Sequence, residues 1–326
     1  MSGRRVVVTG GAGFLGSHVV ELLSQAGRFD IVATDVAASP RSVALAALPG
    51  VRFQAAELRD AQALERLVRG ADVIVHLAAV RGKASDADPR MGLDVNVGAT
   101  FDLVSLAVQH GIRRFVYGSS HLVYGAFGDP DHAPFTEDQA AVGPGLTRYS
   151  AGKLAAEALI ASVCEGSGTD YVTLRLGTIY GPRVNLDSNS GLLLALLAAH
   201  DRGEKAPIPW TRDTVHALTY VADAARAAVR AVEVESDIRG AVNVVGPPVT
   251  AEQLYSTLMT RYGGDPHDLD WREERRRYQL VSAERLRTEL GLEGMTSLED
   301  GLSAIIDWHR EELRPAPQTA DAGQPR

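Results

Sequence analysis

Tyr149 and Lys153 stand four residues apart at the head of a segment, Tyr149–Cys164, whose apolar spacing predicts a long helix. That spacing places both side chains on one helical face. An ammonium beside a phenol favours the phenolate and is expected to lower its pKa, so the phenol can exchange a proton with a substrate hydroxyl near neutral pH. Ser119 and Ser120 follow the strand-like run Arg114–Gly118. Ser120 there could hydrogen-bond the same substrate oxygen, and the competing reading of both serines is a cap on the strand end. Such a set moves a proton at an alcohol. Oxidising that alcohol also needs a hydride acceptor.

The acceptor's seat is legible near the N-terminus, where Thr9, Gly10, Gly13, Phe14, Leu15 and Gly16 lie between a Val-rich strand and a helix. Gly10 permits the tight turn, Gly13 lets backbone approach a pyrophosphate, and Gly16 allows close helix–strand packing. Glycines also mark ordinary turns, but Asp35 closes the second strand nineteen residues after Gly16. A carboxylate there accepts from ribose hydroxyls and repels a 2′-phosphate, which selects NAD. Arg41 is the nearby cation that could reverse the choice.

These residues need a scaffold, and short apolar strands alternating with longer helical patterns supply it. Strands are expected at Arg5–Thr9, Ile31–Asp35, Val51–Ala55, Val73–Leu77, Arg114–Gly118, Tyr171–Leu176 and Ala241–Val245. Helices are expected at Gly16–Gln25, Ala61–Val68, Asp94–His110, Tyr149–Cys164, Val221–Val234, Thr250–Tyr262 and Thr296–Glu311. Continuous rather than alternating hydrophobicity in the strands fits burial on both faces, hence an α/β, doubly wound parallel sheet of Rossmann type with a smaller C-terminal substrate-binding subdomain. The expected division is a dinucleotide-binding part over 1–176 with return elements about 213–246, a substrate part over 177–212 and 247–312, and a disordered tail over 313–326.

At 326 residues the chain can build both parts, and 45% hydrophobic with 23% charged residues is an ordinary globular composition. A net charge of −8 disfavours a nucleic-acid partner. The run Arg272–Arg277, interrupted by Glu273 and Glu274, reads as a solvated, salt-bridged face. The single cysteine, Cys164, fits a buried thiol in a reducing compartment. The N-terminus enters a strand directly, without a signal peptide and without an apolar run of spanning length, so a cytoplasmic protein with no membrane partner is expected. No metal site is expected.

The glycine turn, the segment His76, Leu77, Ala78, Ala79, then Asn96, Ser119 with Ser120, Val123 to Gly125, Tyr149 with Lys153, and Arg175 to Pro182 come in one order. In that order the chain resembles the extended short-chain dehydrogenase/reductases, within them the NAD-dependent epimerase/dehydratase family, over about residues 4–310. The resemblance implies Tyr149 as general acid/base, Lys153 as its tuning residue and ribose contact, and Ser120 as the residue orienting the hydroxyl. It further implies that Asn96 holds the active-site helix and a water, that Glu57 and Leu58 lie at the adenine, and that Leu77 and Ala78 line the cofactor channel. A homodimer paired through two long helices is the family's habit.

Departures from the family pattern bear on the substrate. His121 and Leu122 stand where dehydratases carry an added acid, so dehydration is disfavoured. Thr178 resembles the glucuronate 4-epimerase branch, and its hydroxyl could bond a sugar or carboxylate. His216 replaces the arginine that grips the nucleotide diphosphate, a role a neutral imidazole cannot fill; Arg212 or Arg183 could take it over. Arg81, in the loop after Ala79, suits a carboxylate, although loops also carry arginine for solubility. Arg148 reads as a solvent-facing helix start or an anion contact, and His76 as a structural strand-end histidine. The leading expectation is a nucleotide-sugar 4-epimerase acting on a UDP-sugar or UDP-uronate. The runner-up is a net dehydrogenase of a sugar acid, polyol or other non-nucleotide alcohol, and a non-catalytic NAD-binding protein is the third.

Overall fold

The computed structural model describes residues 3–125, 133–139, 145–186, 188 and 190–313. Seven strands form one parallel sheet: β1 (Arg4–Thr9), β2 (Phe29–Asp35), β3 (Val51–Ala55), β4 (Val73–His76), β5 (Arg114–Ser120), β6 (Asp170–Leu176) and β7 (Arg239–Val244). Their order is β7-β6-β5-β4-β1-β2-β3. The chain reverses direction across the sheet between β1 and β4, which opens a crevice outside the carboxyl ends of those strands. β7, from the C-terminal half, completes the sheet as its rhythm suggested.

Helices cover both faces because the central strands are apolar on both. Val6, Val8, Ile31, Val73 and Val75 pack with helices Phe14–Gln25 and Val221–Glu233. Val7, Ile74, Phe115 and Tyr117 pack with helices Ala61–Val68, Thr100–Gln109 and Arg148–Cys164, where Cys164 is fully buried. Burying a Val or Ile side chain contributes about 1.5–3 kcal/mol, so these two layers carry much of the fold.

Several elements differ from expectation. The helix expected over Asp94–His110 starts earlier, at Pro89, and passes through a π-helical turn, Asp94–Ala99, before Thr100–Gln109. By length and composition alone Pro89–Gln109 could cross a membrane, contrary to expectation; here 39% of its most apolar window is buried in the protein. The basic run Arg272–Arg277 is not merely a solvated face, because Asp270–Arg275 forms a strand parallel to Pro207–Trp210. Thr178–Tyr180 also pairs in parallel with Leu218–Tyr220, and Val215–His216 pairs antiparallel with Val249–Thr250. Together with helix Gly191–Asp201 these short pairs build the wall above the sheet's carboxyl edge. Of the expected tail, Leu313 closes a helical turn, His309–Leu313, and the rest lies outside the described residues.

Candidate active site

The glycine turn is a cradle that side chains would fill. Gly10 sits at φ 65°, and a Cβ on it would come within 2.8 Å of Ala78 N. A Cβ on Gly16 would lie 2.0 Å from the Gly10 carbonyl oxygen. Gly13 approaches the same oxygen, and Phe14 and Leu15 are buried as the helix opens. Asp35 ends β2, where its carboxylate accepts from the Val36 amide at 3.0 Å. Arg41 Nη1 is committed to the Ala12 carbonyl at 3.3 Å. The turn thus keeps its backbone bare at the end of β1, with the Asp35 carboxylate at the end of the neighbouring β2.

His76 fastens the neighbouring strand ends. Its Nδ1 lies 2.6 Å from Thr9 Oγ1 and its Nε2 2.9 Å from Thr100 Oγ1. Burial, and then the Lys153 charge, push its pKa down to about 3, so the ring is neutral. Leu77, Ala78 and Ala79 follow, partly exposed along the crevice. The π-helical turn brings Asn96 against this loop: its Oδ1 accepts from Val80 N and its Nδ2 donates to Val80 O, both at 2.8 Å. The Tyr149 helix packs on Asn96 and Val97 at Gly152, where a Cβ would still make only ordinary contact, 3.7 Å from Val97.

Glu57 ion-pairs with Arg59 at 2.9 Å, which holds its carboxyl below the usual range. Leu58, expected at an adenine, is instead buried in the sheet-side core. The Ser119 hydroxyl turns inward and donates to the Glu157 carboxylate.

Thr147 caps the helix Arg148–Cys164 through a reciprocal pair with Ser150, which fixes its first turn and so Tyr149. Lys153 is buried, donates to the Gly118 carbonyl at 2.6 Å, and lies 4.5 Å from the Tyr117 ring centroid and 5.8 Å from that of Tyr149. Ser120 Oγ accepts from Leu122 N at 3.2 Å, so its capping role is real, and it stands at the end of β5 beside this pair. The expected lowering of the Tyr149 pKa is not found. Burial pushes the phenol up to about 12, with the Arg81 charge opposing. The larger downward shift falls on Lys153 itself, to about 7, through burial and then against the pull of Glu157. Arg81 is exposed and acts electrostatically on both. Arg148 faces solvent, 3.7 Å from Asp86.

Above these residues Thr178, Tyr180, Trp210, His216, Tyr255 and Arg277 line a cleft. His216 is buried, its Nε2 has no hydrogen-bond partner, and burial followed by Arg277 pushes its pKa down to about 4. The arginines expected to compensate for it lie elsewhere. Arg183 reaches Ser17 Oγ at 3.2 Å and Glu21 at 2.9 Å beside the glycine turn. Arg212 is half exposed, paired with Glu252 at 3.3 Å and stacked on Trp271. Arg277, which sequence reasoning placed among solvated charges, is the cation in the cleft. Its guanidinium lies 4.3 Å from the Trp210 ring centroid, and its Nε is buried without a partner. Val215 N donates to the Arg277 carbonyl at 2.9 Å, so pairing across sixty residues puts Arg277 beside His216. His121, expected at the substrate, is buried in the wall, with Nδ1 3.0 Å from the Leu176 carbonyl oxygen and Nε2 3.2 Å from Gln279 Oε1.

Comparison with known proteins agrees with this geometry. The NAD dependent epimerase/dehydratase family model matches residues 6–246. A dTDP-glucose 4,6-dehydratase of Streptomyces griseus is 30% identical over 94% of this chain and 94% of its own length. The low-salt glycan biosynthesis protein Agl12 of Haloferax volcanii is 32% identical over 93% and 98%. Among solved structures, MoeE5 in complex with UDP-glucuronic acid and NAD superposes with a TM-score of 0.82 at 29% identity, covering 95% of this chain and 100% of that one. A UDP-N-acetylglucosamine 4-epimerase from Methanobrevibacter ruminantium M1 gives a TM-score of 0.84 at 26% identity, covering 95% and 99%. The chain belongs to the NAD dependent epimerase/dehydratase family and is an enzyme of the extended short-chain dehydrogenase/reductase type.

Proposed function

We propose that the protein is a nucleotide-sugar 4-epimerase acting on a UDP-sugar or UDP-uronate with NAD. The observation that carries this reading is the placement of Tyr149 and Lys153 on one helical face against the β5 end that presents Ser120. Bound NAD supplies reversible hydride acceptance. Tyr149, as the phenolate that the positive charge of a bound nicotinamide would favour against burial, takes the proton of the C4 hydroxyl and returns it after the sugar turns over, and Ser120 orients the reacting oxygen. Lys153 keeps the phenol and a ribose hydroxyl in register, and Asn96 holds the loop at Val80 that closes the crevice. Gly10, Gly13, Gly16, Phe14, Leu15, Asp35, Leu77, Ala78 and Ala79 form the cofactor's seat. Arg277, with Thr178 and the neutral His216, receives the substrate's diphosphate, and Arg81 faces the sugar. The similarity to MoeE5, solved in complex with UDP-glucuronic acid and NAD, supports this substrate class.

The competing reading, net oxidation of a non-nucleotide alcohol, drew on the arginine missing at His216; Arg277 in the same cleft removes that support. The part over 1–176 with its return elements is read as the cofactor lobe and the remainder as the substrate lobe. A cytoplasmic homodimer is also part of the proposal. Its supports are the lone buried Cys164 and the exposed Met91, Leu93 and Phe101 on the helix beside the Tyr149 helix.

Incubation of the purified protein with UDP-glucuronate, and separately with UDP-glucose, tests the reaction by proton NMR of the product. A C4-inverted sugar nucleotide without absorbance growth at 340 nm is expected. Stoichiometric NADH formation would overturn the epimerase reading.

A further inference from the structure

Helix Arg148–Cys164 carries Tyr149, Lys153 and Glu157 at four-residue steps on one face. The first two have roles in the reaction above, and Glu157 has none. It is 9% exposed. Lys153 takes the Gly118 carbonyl of β5, and one turn further Glu157 takes the hydroxyl of the next strand residue, Ser119. Ser120 follows directly. The same carboxylate accepts from Arg175 of β6 through Nε at 3.1 Å and Nη2 at 2.8 Å. Arg175 Nη1 donates on to Tyr124 OH at 2.8 Å, and that hydroxyl donates to Asn243 Oδ1 of β7 at 2.9 Å. The Glu157 carboxylate thus joins the catalytic helix to three adjacent strands directly beneath the site.

We propose that Glu157 is a positioning residue for the Tyr149–Lys153 pair: with Arg175 it fixes the strand end that presents Ser120, and it supplies the negative charge facing the Lys153 amine. The proposal rests on the catalytic reading of that pair. Lys153 is faced by Tyr149 on its own helix, Tyr117 on β5, neutral His76 on β4 and the Arg81 guanidinium from the loop after β4. None of these is an anion at neutral pH. Glu157 is the group that pulls the amine towards its charged form, against burial and Arg81. A neutral residue at 157 would remove that pull and leave the Arg175 charge unbalanced behind the amine.

The chain has three lysines, Lys83, Lys153 and Lys205, so selective ¹³C-lysine labelling gives three Cε signals, assignable with K83R and K205R. They are titrated in the full chain freed of NAD. Glu157→Gln is expected to move the Lys153 midpoint down by about one pH unit, the size of a lost opposite charge nearby, with Lys83 and Lys205 unmoved. An unmoved Lys153 midpoint in folded E157Q overturns the proposal. Should E157Q not fold, E157D decides: a smaller downward displacement supports the proposal, an unmoved midpoint overturns it. A chain that folds with neither residue makes Glu157 a folding determinant and also overturns it. The titration uses no substrate, so its outcome is separate from that of the sugar-nucleotide assay.

Discussion

At the scale of single residues, the site is built by desolvation as much as by charge. Burial pushes the Tyr149 phenol up to about 12 and the Lys153 amine down to about 7, so helical spacing alone gave the wrong direction for the phenol. Tyr149→Phe is expected to lower kcat by about 10²–10⁴, the usual contribution of a positioned acid/base. NAD affinity, measured by calorimetry, should stay within a few-fold; full activity in that variant would refute the mechanism. Arg277 and Arg212 offer a paired comparison. Arg277→Ala removes a charged partner of the diphosphate, worth about 1.5–3 kcal/mol, so KM for the sugar nucleotide should rise roughly 10- to 150-fold. Arg212→Ala, half exposed and already paired with Glu252, should leave KM nearly unchanged. The reverse ranking would return the compensating role to Arg212. Tyr149, Lys153, Ser120 and the glycine turn were legible because their chemistry is local, set by helical spacing or by a turn. Arg277 was not, since an arginine in a charged run carries no mark of the strand pairing that turns it inward.

Elements explain why the residues meet. Close packing at the glycine turn is a backbone matter, and a Cβ at position 16 would collide with the Gly10 carbonyl oxygen. Gly16→Ala is therefore expected to cost about 1–3 kcal/mol, with a lower Tm and loss of NAD binding. An unchanged Tm with normal NAD affinity would show that the turn tolerates displacement. The His76 staple gives the fold a pH dependence whose sign is fixed. Its folded pKa, near 3, lies below the unfolded value of 6.5, so the unfolded chain binds more protons between those limits. Stability then rises with pH across that window and is lost on acidification, by about 1.4 kcal/mol per unit for this one group. Denaturant titrations at pH 4.5 and 6.5 should show that slope, and His76→Asn should flatten it. The central sheet strands β1, β2 and β4 were legible because each holds a continuous apolar run. The π-helical turn at Asp94–Ala99 was not, because its sequence suits an ordinary helix and only the contact of Asn96 with Val80 selects the wider turn.

On the scale of the whole molecule, the proposed reading sets the cofactor at the sheet's carboxyl edge and the substrate in the cleft lined by Thr178, His216 and Arg277. Phe101 is 42% and Leu93 51% exposed on the helix that lies beside the Tyr149 helix, a face that a second copy would cover. Phe101→Asp is expected to convert a dimer into a monomer by size-exclusion chromatography with light scattering. A wild-type chain that elutes as a monomer at micromolar concentration would remove the dimer from the proposal.

The sequence by itself determined the parallel α/β core, the dinucleotide turn and the Tyr149–Lys153–Ser120 set, because periodicity, glycine sterics and helical spacing act over a few residues. Tertiary structure alone decided how that set is charged and what faces it. The pairing of Val215–His216 with the segment after Arg275 brings a cation to an otherwise neutral pocket. The Arg175–Glu157 pair anchors the catalytic helix to β6 one turn beyond Lys153. Both depend on distant segments meeting where water is excluded, and neither spacing nor composition records where water will be.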